Sequence, residues 1–113
     1  MCEKNKLNDI LSAVHNHSKQ LFADALVDVV LYGSYARGDY DSESDIDIMI
    51  LADIDTDSVV DYLSRLRDNV YMLEIENDCV ISLCITPVCN FERYKKVSPF
   101  YRNVLKEGVS IAG

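Results

Sequence analysis

Apolar residues recur along the chain with two different periods. From residue 7 to 25 they fall at Leu7, Ile10, Leu11, Val14, Leu21, Phe22 and Ala25. These spacings of three and four put them on one side of a helix. Residues 27–32 (VDVVLY) are instead short and β-branched, and Gly33 ends the run, which predicts a buried strand. Residues 45–51 predict a second strand with Ile46, Ile48 and Ile50 on one face. After a polar loop at residues 52–57, with Thr56 or Asp57 as N-cap, Val59, Leu63, Leu66, Val70 and Leu73 mark a second long helix. Residues 71–75 fit either its last turn or the start of an extended segment. Residues 80–86 predict a third strand, stopped by Pro87. Residues 91–106 predict a final helix, with an interruption near Pro99 and a stop at Gly108. Helices that alternate with strands predict an α/β architecture, a sheet flanked by helices, and 113 residues suit a single domain over 1–113.

Charge adds one feature to this picture. The chain carries 19 acids and 11 Lys or Arg, a net charge of −8, against the basic balance expected of a general nucleic-acid binder. The excess is local. Residues 37–57 hold eight acids (Asp39, Asp41, Glu43, Asp45, Asp47, Asp53, Asp55, Asp57) and one base, Arg37. The rest of the chain is nearly balanced. In the opposite sense, Arg93, Lys95, Lys96, Arg102 and Lys106 follow one another with no intervening acid. This stretch reads as a solvated helix face or a contact for a polyanion or partner. No apolar run reaches the ~20 residues of a membrane helix, and the N-terminus does not read as a secretory signal. A cytoplasmic protein is expected, so Cys2, Cys79, Cys84 and Cys89 read as reduced, packed thiols. His15 and His17, two residues apart on a helix, do not share a face and read as surface residues.

The candidate chemistry lies in residues 31–50. Gly33-Ser34 follows a strand and precedes Tyr35-Ala36-Arg37, which suits a short helical turn. Glycine lets a ligand approach the backbone closely, unpaired N–H groups at a helix start attract phosphate, and Ser34 adds a hydroxyl. A plain capped turn accounts for Gly-Ser equally well. Asp45 and Asp47 share one strand face, where two ionised carboxylates repel each other. A divalent cation relieves that repulsion, and Mg²⁺ is usually held by one or two carboxylates plus substrate phosphates. Taken alone, the pair also suits a solvated strand edge. Arg37 either contacts phosphate or acceptor, or pairs with the neighbouring acidic loop.

Together the two halves resemble the minimal nucleotidyltransferases of the DNA polymerase beta superfamily. Their pattern of Gly-Ser, ten residues, then Asp-x-Asp is met by Gly33-Ser34 and Asp45-Ile46-Asp47. The extended pattern is met by Ala36, Arg37, Gly38 and Ser44. Residues 99–104 and 107–109 also look like the tail of small members. The resemblance implies a small polymerase-beta-like domain with a mixed sheet of three to four strands. It implies transfer of AMP from ATP, with Gly33, Ser34 and Arg37 on the nucleotide and Asp45 and Asp47 on Mg²⁺, two ions in all. It also implies a third metal carboxylate near the next strand, for which Asp78 is the best match and Glu74 and Glu76 are alternatives. Small stand-alone members resemble the antitoxin half of toxin–antitoxin pairs, which implies a tyrosine of a HEPN-domain ribonuclease toxin as acceptor and no direct contact with nucleic acid. Two other readings stay open. One is an antitoxin module that acts by complex formation alone. The other is a small-molecule (aminoglycoside-type) nucleotidyltransferase completed by a homodimer.

Overall fold

A computed structural model describes residues 4–111. Helix α1 (Lys4–Phe22) leads through a single 3₁₀ turn into β1 (Leu26–Tyr32), the short helix α2 (Ser34–Arg37) and β2 (Ile46–Ala52). Helix α3 (Val59–Asn77), strand β3 (Ile81–Pro87), helices α4 (Val88–Tyr94) and α5 (Pro99–Glu107), and the two-residue strand β4 (Val109–Ser110) complete the chain. The sheet order is β3-β2-β1-β4. β1 runs antiparallel to β2 and β4, and β2 runs parallel to β3. The parallel pair needs a crossover, and α3 supplies it. The result is the expected mixed α/β sheet.

Helices cover both faces. Ile46, Ile48 and Ile50 pack with Val29, Leu31 and Ile81 under α1 and α3, which contribute Ile10, Val14, Leu66 and Val70. Met49, Leu51 and Val30 pack on the other face under Phe91 of α4 and Val104 of α5. Strand β2 is therefore buried on both sides along its length, apart from the half-buried Asp47. A central strand of this kind reads as a continuous apolar run, and Asp47 is the polar interruption in it.

Several expected boundaries move. The first helix gives way at Ala23, and α3 runs without a break to Asn77, so residues 71–75 are helical rather than extended. Leu73 packs on the core, Asn77 Nδ2 donates to the Leu73 carbonyl at 2.9 Å, and Arg67 bridges to Glu74, all holding the last turns together. Neither Thr56 nor Asp57 caps α3: both lie in a 3₁₀ turn, and Ser58 precedes the helix without a side-chain cap. The predicted final helix is two helices. Pro99 cannot donate a backbone hydrogen bond within a helix, while Ser98 Oγ accepts from the Tyr101 N–H at 3.3 Å and restarts the chain as α5. Strand β4, only two residues long, has no sequence signature of its own. Its place is fixed by pairing with Val30 and Leu31 and by a 2.6 Å bond from Ser110 Oγ to Asp28 Oδ1. His15 and His17 are half-exposed on α1. Cys79 and Cys84 are half-buried thiols, whereas Cys89 is a thiol exposed on α4, so the expected packing does not extend to it; Cys2 lies outside the described residues. Among the described residues, no helix is long and apolar enough to cross a membrane.

Candidate active site

The site is built where β1 ends. Tyr32, the last residue of β1, pairs in register with Asp47 of β2, so the turn after Tyr32 closes over the Asp47 carboxylate. Gly33 makes that turn with φ +77° and ψ −154°, a region essentially restricted to glycine. A Cβ built on Gly33 would collide with Asp47 Oδ2. The carboxylate thus occupies the space that any other residue's side chain would fill. The Gly33 carbonyl then accepts from the Ala36 and Arg37 N–H groups, both at 3.1 Å, and starts α2 with Ser34 as its first residue. Gly38 ends the helix in the left-handed conformation with φ +84°. The expected short helical turn is therefore present, and it sets Gly33 against the Asp47 carboxylate, with Ser34 next in the chain.

Asp47 feels its surroundings. Burial first, and then repulsion from the Asp45 carboxylate, push its carboxyl above the ordinary carboxylate range, while Arg37 acts in the opposite direction. Arg37 itself is spoken for. Its Nε donates to Asp39 Oδ2 at 3.1 Å and its Nη1 to Glu107 Oε2 at 2.9 Å. The guanidinium thus pairs with the acidic loop and also ties α2 to the end of α5. Tyr32 lies on the same sheet face, its hydroxyl pushed up to about 12 by burial, then by Cys84 and Asp47. Its ring meets Phe100 of α5 edge-on at 5.5 Å.

On the far side of Asp45 lies a cleft of about 200 Å³. It is lined by Asp45 with Ser44, Glu74, Asp78, Tyr35 and others. Asp78 ends α3 in a left-handed conformation, φ +49°, and is exposed. The fold brings Asp78 and Asp45 to one cleft, but Asp47 is not part of its lining. Glu74 is engaged: Oε1 accepts from Arg67 at 2.5 Å and Oε2 from the Ile81 N–H at 2.9 Å. Glu76 is exposed on α3, outside this cleft. Directly beside Asp47 on β3 stands Ser82.

Among the described residues, no three carboxylate, imidazole or thiol side chains converge so as to hold a metal ion by themselves. Asp45 and Asp47 still suit Mg²⁺. They are hard oxygen donors, they repel each other, and such an ion takes only one or two carboxylates when phosphates complete its shell. Tyr32, Phe100, Glu107 and Ser82 are the neighbours that sequence reasoning did not single out. Only strand register and the return of α5 place them at the site.

A glycine turn that closes over a carboxylate on a buried strand, with a second carboxylate two residues before it, is an arrangement suited to a nucleotidyltransferase. The sequence matches the nucleotidyltransferase domain family over residues 11–111, and the chain belongs to that family. It is 35% identical over 109 residues to MJ0604, a proposed protein adenylyltransferase of Methanocaldococcus jannaschii, covering 96% of each chain. It is 37% identical over 68 residues to a second from that organism, MJ1305, covering 60% of this chain and 46% of the relative. Two solved structures are also similar. One chain of a toxin–antitoxin complex with AMP-PNP has a TM-score of 0.48 at 22% identity, covering 85% of this chain and 70% of its own. A proposed nucleotidyltransferase from Sulfolobus solfataricus has a TM-score of 0.48 at 21% identity, covering 96% and 86%.

Two outcomes follow from the Gly33–Asp47 contact. Gly33→Ala forces a strained backbone and displaces the carboxylate, so it lowers stability by about 1–3 kcal/mol and weakens nucleotide binding; urea unfolding and nucleotide titration measure both. Asp47→Asn acts through pH. Because the folded state raises this carboxyl's proton affinity, wild-type stability is lost as pH rises from the ordinary carboxylate range through the raised pKa. The Asn variant lacks that loss. Without divalent cation at neutral pH, its urea midpoint is higher than wild type's, and an unchanged midpoint would contradict the repulsion.

Proposed function

We propose that this nucleotidyltransferase is a single domain that moves AMP from ATP to a tyrosine hydroxyl of a partner protein, a HEPN-domain ribonuclease toxin. The observation that carries the reading is the seating of Asp47 against Gly33, in a chain similar along nearly its whole length to a proposed protein adenylyltransferase. In this reading the Gly33 turn and the Ser34 hydroxyl receive the triphosphate, and Asp45 and Asp47 hold Mg²⁺. Bound there, Mg²⁺ supplies charge neutralisation on the phosphates and acidifies the acceptor hydroxyl. Arg37 borders the same turn and is available to phosphate if it exchanges its bond to Asp39.

The transfer is a displacement at the α-phosphorus. A new P–O bond forms to the tyrosine oxygen, the bond to the β-phosphate bridging oxygen breaks, and pyrophosphate leaves. The phenolic proton departs towards the carboxylates of the cleft, where Asp78 shares the lining with Asp45. Orientation and electrostatics provide most of the barrier reduction. A second reading, neutralisation of the partner by complex formation alone, is favoured by one observation: β3 sets Ser82, not an acid, beside Asp47.

Two measurements decide between them. With Mg²⁺ and ATP at about 100 times the dissociation constant, the protein gains about 2.7 kcal/mol, a rise of several degrees in melting temperature; a flat melt contradicts nucleotide use. In a co-expressed pair, ATP labelled at the α-phosphate transfers label to the toxin tyrosine. Asp47→Ala lowers that transfer by more than ~100-fold, beyond the usual cost of losing an outer-shell partner. Neutralisation that survives Asp45→Ala with Asp47→Ala establishes the second reading instead.

A further inference from the structure

The basic stretch singled out in the sequence is not used by the site as described. Residues 93–106 hold five bases and no acid, while the rest of the chain holds 19 acids and 6 bases. In the fold these bases gather at the joint between α4 and α5 and on α5. Among the described residues Lys96, Arg102 and Lys106 make no ion pair. Apolar groups are exposed among them: Val97 is 72% exposed, Leu105 55%, Tyr94 46% and Phe100 41%. An open depression on the outer face of α5 is lined by Pro99, Arg102, Asn103, Leu105 and Lys106.

This face is continuous with the site. At 100° per residue, Val104 and Tyr101 point to the core, and Phe100 and Glu107 share one flank. Phe100 meets Tyr32, the register partner of Asp47, and Glu107 holds Arg37. The other side of α5 turns Arg102 and Lys106 outward. The rings of Phe100 and Tyr32 connect this helix to Asp47.

We infer that the outer face of α5, with the α4–α5 joint, is the docking surface for the acceptor protein, and that its occupant is an acidic segment studded with apolar residues. The inference rests on the protein-acceptor reading above. Charge complementarity selects the occupant: this is the cationic patch on a strongly acidic chain, and it steers a partner of opposite sign towards the site. Exposed Val97 and Leu105 want aliphatic or aromatic side chains rather than a phosphate backbone. A long polyanion such as RNA would also run into the acids of residues 39–47 on its way past Asp47. A protein segment that ends at the α5 face does not.

Fluorescence anisotropy with three probes tests this: a peptide of Glu, Leu and one Tyr, its counterpart with Lys for Glu, and a uridine oligonucleotide. The full chain binds the acidic peptide at least about tenfold more tightly than the lysine peptide. Arg102→Glu with Lys106→Glu abolishes that preference while ATP affinity is kept, and the Gln pair gives an intermediate value. Circular dichroism checks that both variants fold. Equal binding of the two peptides, a preference unmoved by charge reversal, or tighter binding of the oligonucleotide through Arg102 and Lys106 overturns the docking surface. AMP transfer to the co-expressed toxin is followed in parallel with Mg²⁺ and ATP. A preserved peptide preference in a chain that transfers no label to the co-expressed toxin overturns the transferase reading and leaves the docking surface standing.

Discussion

One carboxylate on a doubly covered strand sets the terms for the rest of this molecule. Strand β2 contributes Ile46, Ile48, Met49 and Ile50 to the core, each fully buried, and Asp47 stands in the same strand. Desolvating a charge is costly unless something answers it. Here the cost shows as a raised proton affinity, due first to burial and then to Asp45. The fold accommodates the group by leaving out a side chain. Gly33 adopts a conformation open to glycine, and the carboxylate rests where a Cβ would be. The glycine turn and Asp47 therefore form one structural unit.

That unit is closed from one side by α5, the last helix. Glu107 reaches Arg37 at 2.9 Å and Phe100 packs edge-on against Tyr32 at 5.5 Å. Val104 anchors the helix in the smaller core. A residue 70 positions away in sequence thus fixes the guanidinium nearest the site. The opposite side is shaped by α3 and the entrance to β3, where Arg67 donates to both the Ile81 carbonyl and Glu74, and Glu74 accepts the Ile81 N–H. This clamp consumes the carboxylate of Glu74. It also holds the chain at Asp78 and Cys79 against the cleft that Asp45 lines.

Much of this was legible in the sequence because local chemistry and global fold agree there. The alternation of Asp45, Asp47 and the isoleucines specifies both strand and faces, and Gly33-Ser34 specifies the turn. What was not legible depended on contacts distant in sequence. The continuation of α3 to Asn77 needs the packing of Leu73 and the Arg67–Glu74 bridge, which no local propensity contains. The split at residues 95–98 was signalled by Pro99, but the cap by Ser98 was not singled out. The position facing Asp47 across the parallel pair is a matter of register. Reading along the chain, Asp78 is the first acid before the apolar run; reading across the sheet, the neighbour is Ser82.

The charge distribution acquires a direction from this geometry. Asp39, Asp41 and Glu43 lie on the loop between the glycine turn and the carboxylate pair, and a triphosphate approaching there meets repulsion until cations accompany it. Arg102 and Lys106 lie on the other side of the same helix that carries Phe100 and Glu107. On the proposed reading, an acidic acceptor protein and a cation-bound nucleotide are attracted to different sides of α5. They do not compete for the same charge, and their routes converge at Tyr32 and Asp47. A uniformly acidic surface would repel both. A uniformly basic one would hold free nucleotide and nucleic acid without discrimination. On that reading, separating the two signs across a single helix lets this chain gather two anionic reactants to neighbouring places, with Phe100 at the boundary between them.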